Sequence, residues 1–155
     1  IYAHKRVLNE LKKRFYYVFD ENYNYPGSPK VIENIISSNF NINNKEIIPI
    51  DALHKDLQIF GYRFEKFAYL TDVKTIEDKE INKLNNLDVL VVNALRIEHH
   101  YSHFNLEQAL EFIKIVKPKK AYLTHISHML GFHDEVQKIL PENVFLAYDG
   151  LEITV

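Results

Sequence analysis

Residues 87–128, LDVLVVNALRIEHHYSHFNLEQALEFIKIVKPKKAYLTHISH, decide the fold class. Asp88 to Asn93 holds Val89, Leu90, Val91 and Val92 in succession, an apolar run that predicts a strand covered on both faces. Asn105 stands three residues ahead of Gln108, the spacing of a capping box. A helix is therefore expected to run to about Val116 and to stop at Pro118. Ala121 to Leu123 predicts a second short buried strand, which opens into the polar run Thr124, His125, Ile126, Ser127 and His128. Strand, helix and strand in this order imply an α/β protein with helices packed on a sheet.

Working outward, Phe67 to Leu70 reads as a strand that delivers Thr71 and Asp72 at its end, and Asp78 to Asn85 as a short helix. Leu57 to Phe64 is an aromatic strand candidate interrupted by Gly61. Glu46 to Asp51 is another, with Pro49 marking an edge or bulge. Beyond the central stretch, His133 to Leu140 predicts a helix, Val144 to Ala147 a strand, and Leu151 to Val155 a last strand. Val7, Leu8 and Leu11 recur at helical spacing, so His4 to Arg14 reads as an amphipathic helix. Residues 15–30 form an aromatic-rich loop that crowds Tyr16, Tyr17, Phe19, Tyr23 and Tyr25 ahead of Pro26, Gly27 and Pro29. The rings either pin the loop to its own domain or line a substrate wall or interface.

With 19 basic and 21 acidic residues the formal charge is only −2, so no global field recruits nucleic acid or an acidic membrane. The chain has no cysteine, which excludes disulfides, thiolate metal sites and cysteine nucleophiles; any metal is held by imidazole and carboxylate. No segment has the roughly 18 apolar residues of a membrane span and no signal-peptide core is present, so a cytoplasmic location is expected. Gly-rich phosphate loops, helical HExxH motifs and nucleophile elbows are all missing from the sequence.

The eight histidines matter by their placement. His54, Asp72, His103, His125 and His128 each fall in an expected loop or just past an expected strand, where sites are commonly built. Asp72 is carried to the end of an apolar strand, where its carboxylate either caps the next turn or bridges two cations about 3.5 to 4 Å apart. His125 occupies the same kind of position and suits zinc, manganese or iron. His54 reads as a ligand or as a solvent-exposed loop residue. Glu98, His99, His100, Tyr101, Ser102 and His103 form the densest polar cluster and could position a general acid. Arg96 either neutralises an anion or makes an ordinary ion pair.

These segments together resemble the C-terminal portion of the metallo-β-lactamase superfamily. The resemblance is closest to the branch that holds the cyclic phosphodiesterase of phosphonate breakdown and the tRNA 3′-processing ribonucleases. It is carried by Pro49 through His54, Tyr62 through Val73, Leu87 through Leu95, His99 through Ala109 and Tyr122 through His128, and it ends with Ala147 through Leu151. It implies a metal-dependent hydrolase with two divalent ions, zinc or manganese. His54, Asp72 and His125 would be ligands, Asp72 bridging, and His103 would give a proton to the leaving oxygen of a small phosphodiester or cyclic phosphate ester.

The family's His-x-His-x-Asp-His loop does not occur in these 155 residues, and the chain starts at Ile1 with a helix that no expected strand precedes. The expectation is therefore a partial domain over residues 1–155: the C-terminal half of an αββα sandwich, its N-terminal strands and metal loop missing and its metal site incomplete. Such a half would be inactive by itself. It would need the missing half, another chain or a homo-oligomer to cover its sheet. Lactonase or thioester hydrolysis uses nearly the same metals and stays open, as does a non-catalytic assembly module.

Overall fold

A computed structural model of the chain describes residues 1–20, 22 and 26–154. It divides into two compact units, residues 1–40 and 41–155. In the first, strand β1 (Tyr2–Ala3) pairs in parallel with β2 (Asn34–Ile35). Between them lie helix α1 (Lys5–Arg14) and the single turn α2 (Tyr16–Phe19). Nδ1 of His4 accepts the Arg6 amide and caps α1, and Lys12, Lys13 and Arg14 sit at the end where the helix dipole favours cations. Leu8 is the residue that α1 buries, and the Tyr2 and Phe40 rings stack at 4.8 Å. The expected loop over 15–30 is thus partly helical; Tyr23 and Tyr25 lie outside the described residues.

The large sheet has seven strands in sequence order: β3 (Phe40–Ile42), β4 (Lys45–His54), β5 (Leu57–Phe64), β6 (Phe67–Leu70), β7 (Val89–Asn93), β8 (Lys120–Thr124) and β9 (Val144–Leu146). β4, β5 and β6 form an antiparallel meander, and β6 to β9 run parallel. α3 (Asp78–Ile81) with a 3-10 turn at Asn82–Leu84, then α4 (Leu106–Val116) and α5 (His133–Gln137), make the crossovers. α4 begins with the expected capping box, Asn105 accepting the Gln108 amide and Gln108 reaching back, and it ends on left-handed Lys117 before Pro118.

One face of the sheet is core. Ala68, Leu70, Leu90, Val92, Ala121 and Leu123 pack with Leu106, Ala109, Phe112 and Ile113 of α4. Each large side chain buried there contributes about 1.5 to 3 kcal/mol. The registers Tyr62↔Tyr69, Tyr69↔Val91, Val91↔Tyr122 and Tyr122↔Phe145 run as a row across the sheet. Because paired residues share a face, these side chains line the opposite one. Gly61 is required where β5 meets β6: a Cβ there would come within 2.7 Å of Leu70 Cγ and 3.1 Å of the Tyr69 carbonyl oxygen.

Three expectations are corrected. The N-terminal strands are not missing, since β1, α1, α2 and β2 precede the large sheet in the same chain. Nor is a missing half, another chain or a homo-oligomer needed to complete that sheet, because all seven strands come from this chain. β3 lies outside the strands expected from the sequence; Asn43 and Asn44 both take positive φ (49° and 63°) and turn it into β4. The strand expected over Leu151–Val155 does not form across residues 151–154. Pro49 sits inside a continuous ten-residue β4.

Candidate metal centre

β4 runs in the same direction as the parallel strands β6, β7 and β8, so all four present their C-terminal ends at one edge of the sheet. Open α/β sheets commonly build their sites at that edge. His54 is the last residue of β4, Asp72 follows β6, His103 lies in the loop after β7, and His125 follows β8. Asp72 and His125 both adopt left-handed backbone, with φ of 62° and 54°. Non-glycine residues hold that conformation mostly where surrounding contacts enforce it.

Asn93, fully buried at the end of β7, supplies the enforcement at Asp72. Its Oδ1 accepts the Val73 amide at 2.8 Å and its Nδ2 donates to the Val73 carbonyl at 3.1 Å, clamping the residue after Asp72. The Phe104 amide donates to the same carbonyl at 2.8 Å, tying the loop that bears His103 to the same point.

Asp72 Oδ1 is the hub of the site, 3.1 Å from His103 Nε2 and 3.3 Å from His125 Nε2, while Thr71 Oγ1 donates to Oδ2 at 3.2 Å. The His103 ring stacks on that of His125 at 4.7 Å and meets that of His54 edge-on at 4.5 Å. His54, Asp72 and His103 each offer a ligand atom, all within 4.8 Å of one another, which makes them a candidate metal-binding cluster. On its other side His103 Nδ1 is 3.0 Å from the buried Ser102 hydroxyl and 3.2 Å from His100 Nδ1.

Electrostatics favour an ionised carboxylate at Asp72 and make the His103 imidazole harder to protonate. Burial raises the Asp72 carboxyl, but the His103 hydrogen bond, the His125 charge and the Thr71 hydroxyl outweigh it and hold the group below its usual range. Burial pushes the His103 imidazole down, helped by His125 and His54 and opposed by the Asp72 hydrogen bond. His100 is lowered by burial and then by Arg96 and His103, and Lys74 by burial. Imidazole and carboxylate donors without any thiolate suit zinc, manganese or iron.

Not every expected residue joins this cluster: His128 starts a 3-10 turn (His128–Leu130). His133 opens α5 as expected, with Nδ1 3.2 Å from Asp134. Arg96 donates to the His99 carbonyl at 2.7 Å and the Glu98 carbonyl at 3.3 Å, bracing its own loop, and has no carboxylate partner among the described residues. Sequence reasoning missed Asn93 and Lys74, whose Nζ lies 3.0 Å from His99 Nε2 and 2.9 Å from Gln108 Oε1. Asn93 had a signal, as the single polar residue that closes an otherwise apolar strand.

Residues 1–126 match the family model described as the beta-lactamase superfamily domain. The chain belongs to the beta-lactamase superfamily. A crystal structure of a diphosphatase from the PhnP family is 32% identical, with a TM-score of 0.89 over 99% of this chain and 57% of that one. The superfamily fold recurs in the short form of human tRNase Z (16% identity, TM-score 0.67, covering 99% of this chain and 66% of that one). It recurs again in YhfI from Bacillus subtilis (19%, TM-score 0.69, 97% and 63%). Among curated proteins, an octanoyltransferase of Porphyromonas gingivalis is 35% identical over 158 residues, which is all of this chain and 32% of that protein. The chain thus spans about a third of that relative and rather more than half of the diphosphatase. The superfamily and its αββα sandwich were expected, but the description as a C-terminal half is overturned: the family match begins at residue 1 and takes in the elements ahead of the large sheet.

Proposed function

We propose that the protein containing this chain hydrolyses phosphate esters or phosphoanhydrides with divalent metal ions held by His54, Asp72 and His125, Asp72 bridging, while His103 handles the leaving-group proton. The observation that carries this reading is the convergence of the His103 and His125 Nε2 atoms on one Asp72 oxygen, with His54 beside them. The diphosphatase, the relative at 32% identity, supports phosphoryl chemistry over lactone or thioester hydrolysis. Bound divalent ions would polarise a phosphoryl oxygen and lower the pKa of a water.

The chain's own groups do the positioning. Asn93 and the strained backbone hold the Asp72 carboxylate at the sheet edge, and Ser102 fixes one face of the His103 imidazole so that Nε2 is turned toward the site. A second reading makes His103 a ligand, because it is His103 that lies with His54 and Asp72 inside 4.8 Å.

Metal content by mass spectrometry, with turnover of bis(p-nitrophenyl) phosphate, separates these possibilities. His54→Ala and Asp72→Ala are expected to lose metal and turnover. His103→Ala keeps metal and loses turnover if it handles the proton, and loses both if it is a ligand. Unchanged metal and turnover in Asp72→Ala would end the proposal. The inactivity expected of the chain alone rested on the half-domain reading, and wild-type turnover measures it directly.

A further inference from the structure

A cavity of about 410 Å³ adjoins the cluster, bounded by His54, Lys55, Asp56, Leu57, Tyr101 and Ser102. It shares His54 with the candidate ligands, and its Ser102 wall bonds His103, so a molecule filling it has one end at the metal centre. Its volume falls in the range of small-molecule sites, roughly 300 to 1,000 Å³.

The lining has a definite chemistry. Tyr101 is 67% exposed beside the buried Ser102, and Leu57, which also lines the cavity, is 44% exposed. Large apolar surfaces left open in one cleft suit a flat apolar guest. Lys55 Nζ lies over the Tyr101 ring, 5.7 Å from its centroid, and its pairing with Asp56 is loose at 3.9 Å. Lys55 holds φ of 56° in a two-residue turn where glycine or asparagine is the easier choice. Its side chain is 59% exposed where it lines the cleft.

We propose that this cleft is a subsite for the organic arm of the substrate, a planar heteroaromatic ring borne by a nucleoside phosphate. The ring stacks on Tyr101 against Leu57, and the Lys55 ammonium passes from the tyrosine ring to the phosphate. The inference rests on the phosphate-ester reading for the phosphate contact and is independent of it for the ring.

Calorimetric titrations of the folded protein test both parts. Adenosine is expected to bind the metal-free protein, and adenosine 5′-monophosphate to bind the manganese-loaded protein more tightly than ribose 5-phosphate does. Tyr101→Ala weakens adenosine and the monophosphate by about 5- to 100-fold, the range of base stacking on an aromatic side chain, and spares ribose 5-phosphate. Tyr101→Phe keeps the affinity, and Lys55→Met weakens the monophosphate while sparing adenosine. Equal affinities for adenosine 5′-monophosphate and ribose 5-phosphate, or a monophosphate affinity that Tyr101→Ala leaves unchanged, overturn the subsite. Tyr101-dependent adenosine binding without metal uptake would instead leave the ring subsite standing and count against the hydrolase.

Discussion

Replacing Asn93 with leucine isolates the contribution of one buried amide to the metal centre. The two side chains are close in size, so the change removes hydrogen bonds more than volume. The Val73 carbonyl keeps its bond from Phe104, but the Val73 amide, now bonded to Asn93 at 2.8 Å, is left without that partner in a fully buried position. Stranding a buried donor costs about 1 to 3 kcal/mol. For a chain of this length about 2 kcal/mol lowers Tm by roughly 4 to 8 °C. Asp72 also loses what holds its left-handed backbone, so metal affinity should fall by about 10- to 100-fold, as it does when a group supporting a ligand is removed. Thermal unfolding of the metal-free protein and a zinc titration with a competing chelator measure the two effects. Val144→Ala, a core truncation on β9 away from the ligands, is the control: it should lower Tm by a similar amount and leave affinity alone. If Asn93→Leu binds zinc as tightly as Val144→Ala does, the clamp does not position Asp72.

Acid should destabilise the metal-free protein. His103 and His100 are held below their ordinary values in the fold, so the unfolded chain binds more protons as pH drops through about 6.5, and stability falls with it. The lowered Asp72 carboxyl adds stability that persists above about pH 4 and is lost as pH falls through its folded value. Urea midpoints should therefore be lower at pH 5 than at pH 7.5, and a flat profile would contradict the burial assigned to His103. Gly61→Ala forces a Cβ against Leu70 and should cost about 1 to 3 kcal/mol, read from the denaturant midpoint. Asn105→Ala removes both the α4 capping box and the bond to the Ile97 carbonyl, and should cost about 1 kcal/mol or somewhat more in the same assay.

The parallel part of the fold was legible because both faces of β7 and the inner face of β8 are written in unbroken apolar residues, and because a capping box marks the start of α4. The antiparallel part was harder. Phe40 and Ile42 alternate with asparagines in a segment that reads as loop by composition, yet the paired left-handed Asn43 and Asn44 were a turn signal that could have been read. At the site, strand ends located His54, Asp72 and His125 at one edge without revealing that His103 would sit within ligand distance of His54 and Asp72. That proximity depends on the path of the loop from Ala94 to Phe104. Backbone bonds such as Leu95 to Phe104 and Phe104 to Val73 set the path, and no local pattern encodes them.

His54, Asp72 and His125 stand at the ends of three different strands, β4, β6 and β8, and that arrangement gives the centre a tolerance in units of strand register. Sliding β6 by one residue against β7 would shift Asp72 by about 3.3 Å and send its side chain to the other face. Ala68 opposite Leu90 and Leu70 opposite Val92 resist that slip, because it would carry their side chains out of the core. Variation at these apolar positions is thus expected to be filtered for alignment as well as for bulk, and a substitution there can silence the centre in a protein that still folds.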